Sequence, residues 1–81
     1  MKVAVKLFAV ARQRAATGSV EVDLPAEATV RQLRGALAEQ FPSLAEILPH
    51  VRFAVNNEYA TDMHTIASTA EIDLIPPVSG G

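Results

Sequence analysis

The residues best placed to do chemistry stand at the end of the chain, in Ile75-Pro76-Pro77-Val78-Ser79-Gly80-Gly81. Pro76 and Pro77 fix φ at about −65° and favour an extended backbone that projects away from the preceding strand. Gly80 and Gly81 carry no side chain, so they can thread a narrow channel and let another backbone come close. Val78 offers an apolar anchor on the way. The working group in this reading is the terminal carboxylate of Gly81. A carboxylate is a poor acyl donor until one of its oxygens becomes part of a good leaving group, so a partner must activate it.

Elsewhere the chain carries no catalytic constellation. It has no cysteine, which excludes disulfides, Cys-ligated zinc, iron–sulfur clusters and a thiol nucleophile. His50 and His64 lie in a post-proline position and a polar loop, and two histidines alone read as surface residues, so no metal site is expected. Ser43, Ser68 and Ser79 lack a local base or an elbow motif. Glu27, Glu39, Glu46, Asp62 and Glu71 read as solvated surface. No glycine-rich phosphate loop follows a strand. The net charge is −2 and the seven Lys and Arg are scattered, so no nucleic-acid footprint exists. No apolar run reaches membrane-spanning length. The opening MKVAVKLFAV alternates and holds Lys6 in its middle, so it reads as a strand rather than a secretion signal. A cytoplasmic protein is the expectation.

The elements that must position the tail follow from periodicity. The 81 residues, 49% of them hydrophobic, suit one small domain that buries about 60–65% of its unfolded surface. That domain is expected over residues 1–76, with a flexible tail over 77–81. Residues 2–10 alternate, with Val3, Val5 and Leu7 on one face and Lys2, Ala4, Lys6 and Phe8 on the other. Residues 11–18 read as a loop or short helical turn closing at Gly18. Residues 20–24 alternate again, which suggests an antiparallel hairpin. Thr29 and Gln32 form a capping box, and Val30, Leu33, Leu37 and Phe41 make one apolar stripe. Pro42 ends this helix. Residues 43–50 read as a short turn of helix. Residues 52–56 form a strand, and Asn56-Asn57 suits a tight hairpin turn into residues 58–60. Residues 61–70 cross the domain with a short helical turn around Ile66. Residues 71–75 are the last strand, Ile72 and Leu74 facing one way and Asp73 and Ile75 the other. The result is an α+β domain with a sheet of about five strands and one main helix on one face.

These stretches resemble a known family. VKLFAVARQRAATG, TVRQLRGAL, VNNEYATD and IDLIPPVSGG are similar to the small subunit of molybdopterin synthase, a ubiquitin-like sulfur carrier. The resemblance covers the whole chain. It implies a β-grasp (ubiquitin-like) fold with a mixed sheet. It implies that an ATP-dependent activating enzyme adenylates Gly81, and that a sulfur donor converts the acyl-adenylate to a thiocarboxylate. The tail of Pro76, Pro77, Val78, Ser79 and Gly80 then inserts into the large synthase subunit. There the thiocarboxylate gives sulfur to cyclic pyranopterin monophosphate, in two transfers per pterin, to build the molybdopterin dithiolene. By the same resemblance the chain holds no permanent cofactor and is no catalyst alone. It is the sulfur-donating subunit of a sulfurtransferase, expected in a heterotetramer of two small and two large subunits. One departure stands out: Thr69 occupies the place of a family glycine, so the turn there is expected to differ.

A docking face follows from the alternation. If Val3, Val5, Leu7, Ile72 and Leu74 pack under the helix, Phe8 and Ile75 face the other way on strands that a β-grasp sheet makes neighbours. Tyr59 extends this patch. Three apolar residues beside the tail are the expected contacts with the large subunit and, alternately, the activating enzyme. Arg12 and Arg14 are candidate polar contacts at its edge. Three other functions are compatible with the tail. One is a sulfur carrier for thiamin or cysteine synthesis. Another is a protein modifier joined to lysines through Gly81. The third is a binding module whose tail is idle.

Overall fold

In the computed structural model, which describes residues 1–77, alternation becomes strand almost wherever it occurs. In chain order the elements are β1 (Lys2–Leu7), α1 (Ala9–Ala15), β2 (Ser19–Asp23), α2 (Val30–Gln40), two single-turn 3-10 segments (Pro42–Leu44 and Leu48–His50), β3 (Arg52–Val55), β4 (Glu58–Ala60) and β5 (Ile72–Ile75). They form one sheet in the order β2-β1-β5-β3-β4. β1 and β5 run parallel at its centre and the other pairs are antiparallel. A mixed five-stranded sheet with its first and last strands side by side, crossed on one face by α2, is the β-grasp arrangement.

The core lies between α2 and one face of the sheet. Val3, Val5, Leu7, Val20, Val22, Phe53, Val55, Ile72 and Leu74 meet Val30, Leu33 and Leu37 there, all buried. No polar or charged residue among the described ones is buried, so the buried side chains meet one another by apolar contact. α2 begins as its sequence dictates. The Thr29 hydroxyl accepts from the Gln32 N–H, and the Gln32 side chain accepts from the Thr29 N–H at 2.8 Å. The next two N–H groups, of Val30 and Arg31, donate to the carbonyls of His64 and Asp62. The positive end of the helix is therefore fully satisfied inside the fold. Pro42 stops the helix at Gln40, leaving Phe41 as a half-buried cap. Gly35 sits exposed in mid-helix with open space where a Cβ would go. Gly35→Ala is therefore expected to stabilise the domain by about 0.5–1 kcal/mol, read as a higher urea midpoint with an unchanged slope.

Arg34, one residue earlier, fastens α2 to the opposite half of the sheet. Its guanidinium donates to the carbonyls of Leu48 and Val51, pairs with Asp62 at 2.9 Å, and lies 5.1 Å from the centre of the Phe53 ring. At the other side of the sheet, the Gln40 amide accepts from the N–H of Asp23 and donates to its carbonyl, both at 3.0 Å. This side chain takes the place a neighbouring strand would occupy on the outer edge of β2.

Four local expectations need correction or refinement. Residues 9–15 are a helix rather than a loop or single turn, although only Ala11 of it is buried. The left-handed residue that ends it is Ala16, at φ 58°, and not Gly18. No helical turn forms around Ile66. That residue is pulled into the core and donates its N–H to the Ala28 carbonyl, beside a bridge between Thr29 and Thr65. Thr69 avoids a positive φ altogether, and the turn closes through the Ala70 N–H on the Ala67 carbonyl. A β-branched residue is costly at positive φ, so the loop takes the other route. The Asn56-Asn57 turn does form as expected, with φ of 51° and 69° at its two centres, the signature of a type I′ hairpin.

Candidate functional face and tail root

β5 delivers the chain to the tail. Its last residue, Ile75, is half-buried, Pro76 is half-buried and Pro77 is exposed. The expectations for Val78, Ser79, Gly80 and Gly81 fall outside the described residues. The tail thus leaves from the middle of the sheet, flanked by β1 on one side and β3 on the other.

The register places the predicted docking residues on the face that α2 does not cover. Leu7 pairs with Leu74, so Phe8, one step further on, stands beside Ile75. Phe8 keeps an extended backbone (φ −129°, ψ 155°) and is 46% exposed. Ile75 in turn pairs with Arg52 of β3. The adjacent row across the same face runs Lys6, Asp73, Ala54, Tyr59. Tyr59 is 59% exposed on the edge strand β4. Phe8 and Ile75 are therefore brought together, whereas Tyr59 is reached only across β3. The side chain that fills the gap is Arg52, whose guanidinium carbon lies 4.0 Å from the centre of the Tyr59 ring.

Arg52 was not legible as part of this face. Nothing local marks it, and its position follows only from the pairing of β3 with β5 and β4. A hollow of about 120 Å³ lies lower on the face, lined by Ala4, Lys6, Ala70, Glu71 and Ile72. A wider cleft of about 500 Å³ opens beside the end of β1, lined by Ala9, Arg12, Gln13, Ala16, Thr17 and Gly18. Arg14, next to it, is committed to Glu46 at 3.0 Å. Neither His50 nor His64 belongs to a group of three or more metal-ligating side chains, and no such group forms among the described residues. No helix among them is long and apolar enough to cross a membrane.

An apolar strip with an aromatic at each side and a cation between them can hold a protein surface. The chain leaves the end of that strip through Pro76 and Pro77.

Comparison with known proteins gives the family and the fold. The ThiS family profile matches residues 5–81. The molybdopterin synthase sulfur carrier subunit of Arabidopsis thaliana is 35% identical over 81 residues, covering all of this chain and 84% of that protein. Small archaeal modifier protein 1 of Haloferax volcanii is 34% identical over 84 residues, covering 94% of this chain and 97% of that protein. Its crystal structure superposes over the full length of both chains with a TM-score of 0.85 at 31% identity. A complex of subunits 1 and 2 of molybdopterin-converting factor from Helicobacter pylori contains a chain with the same fold, at a TM-score of 0.68 and 22% identity, covering 100% of both chains.

Proposed function

The chain belongs to the ThiS family, and from that premise we propose that it is the sulfur-carrier small subunit of a molybdopterin synthase. The observation that carries this reading is the full-length likeness to a molybdopterin synthase sulfur carrier subunit. The family match also runs through the Pro-Pro-Val-Ser-Gly-Gly tail.

In this proposal the Gly81 carboxylate attacks the α-phosphate of ATP on an activating enzyme, and pyrophosphate leaves. A sulfur donor then displaces AMP, so that the terminal C–O bond is exchanged for C–S and a thiocarboxylate results. The folded domain supplies the handle by which both enzymes hold the tail. Phe8, Ile75 and Tyr59 form that handle. Pro76 and Pro77 aim the tail, and Val78, Ser79 and Gly80 insert with it into the large subunit. The thiocarboxylate sulfur forms a bond to carbon of cyclic pyranopterin monophosphate, and water then cuts the acyl–sulfur bond, leaving sulfur on the pterin and restoring the Gly81 carboxylate. The chain needs no bound cofactor for this, because the energy comes from ATP on the activating enzyme. The assembly is a heterotetramer with two large subunits, working in the cytoplasm. In the Helicobacter pylori complex of subunits 1 and 2 of molybdopterin-converting factor, a chain of this fold is found with a second subunit.

The likeness to small archaeal modifier protein 1 supports, more weakly, a second reading in which Gly81 is joined to protein lysines. Reconstitution separates the two. The purified chain, its activating enzyme, ATP, a sulfide source and the large subunit are expected to convert cyclic pyranopterin monophosphate into molybdopterin. Absence of product, with slower-migrating conjugates accumulating in cell extract, would overturn the sulfur-carrier reading.

A further inference from the structure

Arg52 stands where the docking face and the tail root meet. It pairs in register with Ile75, the last strand residue before Pro76, and its guanidinium stacks on the Tyr59 ring at 4.0 Å. Both side chains belong to exposed residues. The other two arginines that face a partner group are already committed, Arg14 to Glu46 and Arg34 to Asp62 and two carbonyls. The Arg52 side chain makes no hydrogen bond or ion pair among the described residues, although the chain holds nine Asp and Glu.

Stacking has a consequence for binding. A guanidinium presents five N–H donors in a rigid plane. Laid over an aromatic ring, it has its conformational freedom reduced before any partner arrives, while its N–H edges stay open to solvent. That lowers the ordering cost of a later contact. The geometry that such a fork fits best is a carboxylate, held by two parallel N–H···O bonds. Tyr and Arg are also the residue types that most often dominate interface energetics.

We infer that the stacked Arg52–Tyr59 pair is a preorganised carboxylate receptor that engages an aspartate or glutamate on the large synthase subunit docked over Phe8 and Ile75. The inference rests on the docking reading above and adds to it the chemistry of the partner's contact. Arg52 sits at the centre of the strip, flanked by Ile75 and Tyr59, so the contact is shielded from water when the face is covered. Arg12 does not share this placement. It lies on α1, beyond β1, against Gly18, and stacks on no aromatic ring among the described residues.

The test is the affinity of the full chain for the purified large subunit, by calorimetry at several salt concentrations. Arg52→Gln is expected to weaken binding at least tenfold and to flatten the salt dependence. Arg52→Lys should recover little of this, because a lysine neither stacks flat nor binds in a fork. Tyr59→Leu keeps the apolar area but removes the stack, and should weaken binding several-fold in the same salt-dependent way. Phe8→Asp is measured alongside. If Phe8→Asp abolishes binding while Arg52→Gln changes it less than twofold, the carboxylate receptor is wrong and the docking face stands. If neither changes affinity, the docking face is wrong as well. Unaltered thermal melts for all variants, expected for exposed positions, keep a folding defect from imitating either result.

Discussion

Removing Gly81 alone is expected to lower molybdopterin formation by at least about 100-fold while the domain melts as before. The variant still ends in a glycine carboxylate that an activating enzyme could adenylate. What it lacks is reach, because each extended residue spans about 3.3–3.6 Å. A displacement of even about 1 Å at a reacting centre can cost about 100-fold in rate, so the shortened tail should leave its sulfur out of register with the pterin. Removing Gly80 as well should abolish product. The fold has no stake in either change, since the buried core ends at Leu74. Activity is read as molybdopterin formed in the reconstituted system, and stability as the urea midpoint. Normal turnover by the doubly shortened chain would mean that the tail is idle and the protein is a binding module.

The second large effect belongs to the face. Combining Phe8→Asp with Ile75→Asp is expected to cost about 3–4 kcal/mol of binding to the large subunit, two to three orders of magnitude in Kd. Two apolar anchors are lost, and two carboxylates are left to be desolvated without partners. The domain should tolerate the change. Phe8 is the residue before α1 and makes no side-chain capping bond there, whereas aspartate is a favoured residue at such a position. Ile75 points away from the core that Leu74 completes. The activating enzyme should lose affinity in parallel if both partners use one surface. Wild-type affinity for the large subunit with a normal melt would remove the docking face from the account. Loss of affinity for only one enzyme would split the face into two separate sites.

What could be read from the sequence was what is local. The capping box at Thr29 and Gln32, the apolar stripe of Val30, Leu33 and Leu37, and the Asn-Asn turn each depend on residues a few positions apart. Each formed as expected. The alternation of β1 assigned Val3, Val5 and Leu7 to the core without any knowledge of partners. The start and length of α1 were not legible, beyond a loop or short helical turn over residues 11–18, because its signals are weak. It has no capping side chain, no acidic residue in its first turn and one buried residue. Ile66 was misjudged because its conformation is set by a bridge to residues nearly forty positions earlier, and tertiary pairing overrode local preference there. The candidate site divides the same way. The placement of Phe8, Ile75 and Tyr59 on the face opposite the helix was legible from alternation. Arg52 was not, because a guanidinium stacked across two strands exists only once β3 has chosen its register.

The central claim is that Gly81 carries sulfur, and intact-mass analysis after thiol alkylation tests it most directly. The chain has no cysteine, so at mild pH no side chain should take up the reagent readily. The thioethers of Met1 and Met63 react more slowly and are told apart by fragmentation. Protein purified from its native host is predicted to gain a single alkyl group that maps to Gly81, on a carbonyl bearing sulfur in place of oxygen. No adduct under these conditions, with Gly81 found instead in an amide bond to another protein, would contradict the account.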